Sequence, residues 1–126
     1  MTNASFLRRV LWADAATCIA CGILLGFGAE ALTGLLGLPP ALMRWAGISL
    51  FPVAGLLVFL ATRDRPAPAL VWVIIVGNAI WAIDSLALLL TPWVAPTLLG
   101  SLFVVGQAVV VFAFARFEHL GLRAAA

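Results

Sequence analysis

The chain has 126 residues, of which 65% are hydrophobic and 10% are charged, and it has a mean hydropathy of +1.20 and a net charge of +2. About a quarter of the residues in a soluble domain are charged, so this composition excludes an ordinary soluble protein and predicts one whose partner is the lipid bilayer. The few basic residues form no patch or stripe, which excludes a nucleic-acid partner.

Four apolar stretches are long enough to cross a hydrocarbon layer of about 30 Å as helices. They cover residues 10–30, 41–62, 69–91 and 97–116, and short segments containing Pro or Gly separate them. We therefore predict an all-α fold, an integral membrane four-helix antiparallel bundle that forms a single domain over residues 1–126.

The arginines predict the orientation of this bundle. Six of them fall on one side of the predicted membrane and Arg44 alone falls on the other, so the positive-inside rule predicts that both termini are cytoplasmic. All seven basic residues are Arg, which is typical of a GC-rich genome, and the chain resembles many small bacterial membrane proteins. We expect a multi-pass protein of the bacterial inner (plasma) membrane.

The first span carries small residues at spacings of three and four. Two of its glycines form a GxxxG pattern, which allows another helix to approach closely. This helix-packing face consists of Ala15, Cys18, Gly22, Gly26 and Ala29. It supports our first hypothesis, a non-enzymatic protein that packs against itself, as a homo-oligomer, or against a larger membrane complex.

An acid also lies in the first span. Asp14 is expected about 6 Å inside the cytoplasmic boundary, within reach of the flanking arginines. Together with Ala13 and Thr17 in a four-helix chain of this length, it resembles the small multidrug resistance transporters, which exchange protons for cationic drugs on a carboxylate in the first helix. That family has Glu where this chain has Asp14, and its pattern does not include the charges of Arg44 and Asp84.

Cys18 and Cys21 form a CxxC in the same span. A cysteine pair in a four-helix membrane bundle resembles vitamin K epoxide reductase. In that family the pair lies near the outer surface and has a second cysteine pair available, whereas here both thiols are expected roughly 12 to 17 Å deep with no such partner. Buried thiols of this kind are inert, so we interpret both cysteines as small packing residues.

Polar residues in the other three spans predict a polar centre, which consists of Arg44, Asn78, Trp81, Asp84 and Gln107. Asn78 and Gln107 are expected at the same depth, about 14 Å from the cytoplasmic side, and could share an amide hydrogen bond. Near the opposite surface, Glu30, Arg44 and Asp84 are expected to form a cluster. It is either an ion pair that fixes helix order or a proton or cation site.

The sequence contains no motif for a nucleophile, a nucleotide, a metal or another cofactor. His119 follows the predicted fourth span and is interpreted as a solvated helix end. We therefore expect no enzymatic activity, and a redox enzyme that uses the CxxC is the most distant alternative. The main alternative to a packing protein is a small transporter or channel, with a proton or cation site formed by Asp84, Asn78 and Gln107 beside Trp81.

Overall fold

The computed structural model describes residues 3–125, and side-chain surroundings from residue 5 onward. These residues form four α-helices and no strand: α1 (Asn3–Leu36), α2 (Pro40–Ala61), α3 (Pro68–Leu88) and α4 (Leu98–Ala125). Each helix is long and apolar enough to cross a membrane. The chain is therefore a small multi-pass membrane protein by length and composition, while the antiparallel order and the sides on which the termini lie stay predictions.

Two helices begin where the sequence predicts, each at a proline. Pro40 and Pro68 lie in the first turns of α2 and α3, where a missing N–H leaves no hydrogen bond unmade and the fixed φ suits a helix. Pro52 lies inside α2 without ending it. The observed bounds of α2 and α3 differ from the predicted spans by one to three residues.

The first helix is longer than the predicted span 10–30. It continues through Gly34 and ends only at Leu36. Gly37 then adopts a φ of 69°, a left-handed conformation that residues with a Cβ rarely adopt, and a Cβ there would meet the backbone of Pro96 at 3.2 Å. One glycine in a helix costs about 1 kcal/mol, so Gly34 alone does not end α1, whereas the turn at Gly37 does.

The fourth helix also exceeds its predicted end, continuing from residue 116 to Ala125. Ala115, Glu118 and Gly121 recur every three residues and are all buried. A Cβ at Gly121 would lie 3.0 Å from the Cα of Leu7, so this last part of α4 packs closely on α1. The prediction that the chain after Arg116 is a brief tail was wrong because these contacts stabilise a less apolar helix end.

The helices pack in the order α2, α1, α4, α3, and α2 touches α3 at only a few positions. The small-residue face of α1 packs on α2. A Cβ at Gly22 would lie 3.1 Å from the carbonyl oxygen of Gly47, and one at Gly47 would lie 2.9 Å from the Cα of Gly26. Ala15, Cys18 and Ala29 of the same face are buried. The face is thus a close-packing surface that α2 of the same chain contacts, and packing of this face against a partner outside the chain stays a prediction.

Candidate functional site

Three buried polar side chains from three helices meet at one point, which we call the polar junction: Asp14 of α1, Asn78 of α3 and Glu118 of α4. The amide nitrogen of Asn78 donates to Asp14 Oδ2 and to Glu118 Oε1, each at 2.9 Å. The exposed fractions of Asp14, Asn78 and Glu118 are 3%, 8% and 0%. One amide group therefore serves two carboxyl groups inside an apolar bundle.

Two further features complete the polar junction. The thiol of Cys18, one turn along α1 from Asp14, donates to Asp14 Oδ1 at 3.6 Å. The carboxyl groups of Asp14 and Glu118 are neighbours, because both accept from the same Asn78 nitrogen. Glu118 Oε2 has no hydrogen-bond donor among the described residues, although it is fully buried. Buried polar atoms nearly always have a partner, so this oxygen requires an explanation.

The structure corrects the expected surroundings of Asp14. The sequence predicts that Asp14 lies near the cytoplasmic boundary, where arginines that include Arg8 and Arg116 could reach it. Instead, Arg8 Nε donates to the carbonyl oxygen of Ala61, and Arg116 Nη1 lies 3.5 Å from His119 Nδ1. Asp14 is bound to an amide and a thiol in the interior.

Sequence reasoning missed Glu118, since the predicted fourth span ends two residues before it. Its spacing of three from Ala115 and from Gly121 is the signal that could have placed it on the packing face of a longer helix. His119 was assigned to a solvated helix end. It lies within α4, is half-buried, and has its ring 5.3 Å from that of Trp72.

A cavity of about 710 Å³ lies beside the polar junction, between α2 and α3 and against α1 and α4. We call it the seam cavity. Its walls are mostly apolar, and on α2 they extend from Leu42 to Leu56, roughly 20 Å along the helix axis. Because α2 and α3 touch at only a few positions, the cavity lies along the gap between these two helices.

The seam cavity has a few polar groups at separate positions. Asp14 and Asn78 of the polar junction line it, and so do Thr17, Cys18 and Cys21 of α1. Trp81 and Gln107 also line it, and the indole N–H donates to the Gln107 side-chain oxygen at 2.8 Å. Asp84 and Ser85 follow along α3. An apolar cleft of this volume with a few polar groups is the usual form of a small-molecule site.

The predicted hydrogen bond between Asn78 and Gln107 is not formed. Asn78 gives both amide hydrogens to the two carboxyl groups, and Gln107 accepts from Trp81 and donates to the carbonyl oxygen of Val104. Both residues line the seam cavity, as do Trp81 and Asp84. The sequence placed these four residues near one another but assigned the wrong partners.

The predicted outer cluster forms only in part. Arg44 Nη2 and Glu30 Oε1 are 3.3 Å apart, with 42% and 85% of the two side chains exposed. Asp84 is not in this pair. Among the described residues it makes no hydrogen bond or ion pair, and it is exposed at the seam cavity. Arg44 was predicted in the polar centre, but its side chain is exposed, pairs with Glu30 and does not line the seam cavity.

We compared the chain with protein-family models, with curated proteins and with solved structures. None of them matches it. The function must therefore be argued from the polar junction and the seam cavity.

Within residues 3–125, no group of three or more His, Cys, Asp and Glu side chains converges as a metal site. Cys18 and Cys21 are both free thiols, the first buried and the second half-buried. The chemistry that the site offers is therefore acid, amide and indole groups around an apolar space. Such groups can bind a cation, a proton or the polar end of an amphiphile.

Proposed function

We propose that the protein is a small membrane transporter that takes a lipophilic cation from the bilayer into the seam cavity, with Asp84 as the counter-ion. The observation that carries this proposal is an acid on the wall of an apolar cavity that has no partner among the described residues. A carboxylate in the membrane-spanning part of a protein is costly unless something satisfies it. A bound cation would satisfy Asp84.

The rest of the seam cavity supports the same class of ligand. Its apolar walls suit hydrocarbon or aromatic groups, and its position along the gap between α2 and α3 suits a molecule that enters from the lipid. Trp81 offers an indole ring, the best aromatic partner for a cation. That ring is oriented by its N–H bond to Gln107, and the Ser85 hydroxyl donates to the Trp81 carbonyl oxygen at 2.7 Å.

The packing hypothesis is weaker, because α2 already occupies the small-residue face on which it depends. Association with itself or with a larger membrane complex stays a prediction, and it would need another surface. The absence of enzymatic activity also stays a prediction.

The proposal is tested with tetraphenylphosphonium, a lipophilic cation, and tetraphenylborate, an anion of similar shape. Binding to the full chain in lipid nanodiscs is measured by calorimetry and by tryptophan fluorescence, and empty nanodiscs correct for partition into lipid. We expect saturable binding of the cation and none of the anion. Asp84→Asn should weaken binding by at least about tenfold, or about 1.4 kcal/mol.

Glu30→Gln is the matched control, because it removes an acid that lies outside the seam cavity. It should leave binding unchanged. Uptake of the cation into proteoliposomes should likewise depend on Asp84 and not on Glu30. Equal binding of the two ions, or equal binding by wild type and Asp84→Asn, would refute the proposal.

A further inference from the structure

The polar junction contains a buried oxygen that receives no hydrogen bond from any described residue. This atom is Glu118 Oε2, and the carboxyl group of Asp14 lies beside it, because Asp14 Oδ2 and Glu118 Oε1 accept from the same Asn78 nitrogen. Asn78 cannot serve it, because both amide hydrogens are already given to Asp14 Oδ2 and Glu118 Oε1. Two ionised carboxylates in this position would repel each other and leave this oxygen unbonded.

We propose that Asp14 and Glu118 hold one proton between them, so that the polar junction is a proton-binding site. The proton converts the contact between two acids into an O–H donor and an acceptor. It supplies the bond that Glu118 Oε2 lacks, and it lowers the charge of the buried pair from −2 to −1. Two carboxyl groups that share a site and cannot both ionise are a known arrangement in proteins.

The charged groups that the structure describes around the pair are engaged elsewhere, distant or exposed. On the other helices, Arg44 of α2 pairs with Glu30, Asp84 of α3 lies six residues from Asn78, and on α4 His119 contacts Trp72 and Arg116 while Arg123 is exposed. On α1, Cys18 donates to Asp14, Cys21 lines the seam cavity, Arg8 is bonded to Ala61, and Arg9 is exposed. A proton is therefore the positive charge that fits the junction.

The seam cavity gives this site one route to a proton. Asp14 and Asn78 line the cavity, whereas Glu118 lies behind them and is inaccessible. Exchange with the cavity thus proceeds through Asp14. The site requires no ligand in the seam cavity, so this inference does not depend on the proposed transport.

The first test is infrared spectroscopy of the full chain at neutral pH, in a detergent without carbonyl groups. Wild type should show the carbonyl stretching band of a protonated carboxyl group. Glu118→Gln should lose this band, because a Gln amide takes the place of the O–H donor and leaves Asp14 ionised. Asp84→Asn is the matched control and should retain it. Absence of the band from wild type, or its persistence in Glu118→Gln, would overturn the proposal.

The second test is the stability of the same proteins as the pH rises above the usual range of a carboxyl group. The folded state would bind one more proton than the unfolded state, so the unfolding constant of wild type should rise by up to about tenfold per pH unit. Glu118→Gln and Asp14→Asn carry a permanent amide donor, so this rise should be absent from whichever of them folds. A rise of equal slope in wild type and variant would contradict a shared proton.

Discussion

Replacing Gly47 with Ala tests how α1 and α2 are held together. A Cβ at Gly47 would meet the backbone of Gly26 and of Leu25, at 2.9 Å from the Gly26 Cα and from the Leu25 carbonyl carbon. Real Cβ atoms essentially never come this close to another heavy atom, and backbone atoms cannot rotate away. The two helices would therefore have to separate along the small-residue face.

The size of the effect follows from two opposing contributions. Overpacking of a close contact costs about 1–3 kcal/mol, and a contact with backbone on both sides belongs at the upper end of that range. Ala gains about 1 kcal/mol over Gly in a helix interior. We expect Gly47→Ala to lower the free energy of unfolding by about 2 kcal/mol, which is the difference between about 3 and about 1.

Gly55 provides a control on the same helix, because a Cβ there would meet nothing within 4 Å. Gly55→Ala should be neutral or stabilising by up to about 1 kcal/mol. Both variants are unfolded with dodecyl sulfate in mixed micelles, and tryptophan fluorescence reports the transition. If the two variants are equally stable, the close contact of α1 with α2 is refuted.

Gly22→Leu distinguishes this internal contact from a partner outside the chain. Its side chain would be directed at Gly47 and Phe51 of α2, so it should destabilise the isolated chain. Native mass spectrometry after mild extraction measures association in the same samples. Loss of a stoichiometric partner at unchanged stability would restore the hypothesis that the small-residue face binds outside the chain.

Three other substitutions or probes test the polar groups. Asn78→Leu removes the donor shared by two buried carboxyl groups and should lower the free energy of unfolding by about 3 kcal/mol or more in the same assay. Gln107→Leu, at a half-buried position, should lower it by less. Arg44→Ala should cost less than about 1 kcal/mol, because its pair with Glu30 is exposed, and a double-mutant cycle with Glu30→Ala measures the coupling. In the folded protein, Cys18 should react with a maleimide more slowly than Cys21, because Cys18 is buried and bonded to Asp14. Mass spectrometry of each single-cysteine variant measures the two labelling rates. Faster labelling of Cys18 than of Cys21 would contradict this prediction.

The four helices could be predicted because a membrane allows few alternatives. A spanning segment must satisfy its own backbone hydrogen bonds and bury enough apolar surface, so length and hydropathy alone indicate it. The ion pair of Glu30 with Arg44 was predictable for a related reason. Glu30 lies toward the C-terminal end of α1 and Arg44 toward the N-terminal end of α2, so the two residues lie on the same side of the bundle, and their depth can be counted from the sequence.

The polar junction could not be predicted in this way. Asn78 and Gln107 were predicted to be partners because they lie at the same depth in helices that a short turn joins. Side-chain partners also depend on the rotation of each helix about its axis, and depth does not specify that rotation. Asn78 faces α1 and α4 together, and Gln107 faces Trp81. Glu118 was missed because hydropathy falls after Arg116, although contacts with α1 extend the helix beyond the apolar stretch.

The polar junction links two helix pairs. Helices α1 and α2 form one close-packed pair, α3 and α4 form the other, and α1 joins them by packing on α4. Among the described residues, side-chain hydrogen bonds cross between the pairs at two places. One is the polar junction, and the other is Thr97, whose hydroxyl donates to the Leu35 carbonyl oxygen at 2.7 Å.

These two links lie about 31 Å apart along α1, a separation of 21 residues, so they hold the two pairs together at two levels, about a third of the way along the helix and at its C-terminal end. The seam cavity occupies the side where α2 and α3 have no such link. Loss of the proton that Asp14 and Glu118 share would place two negative charges between α1 and α4 and weaken one of the two links. The protonation of the junction would then act on a contact whose residues Asp14 and Asn78 form part of the wall of the seam cavity.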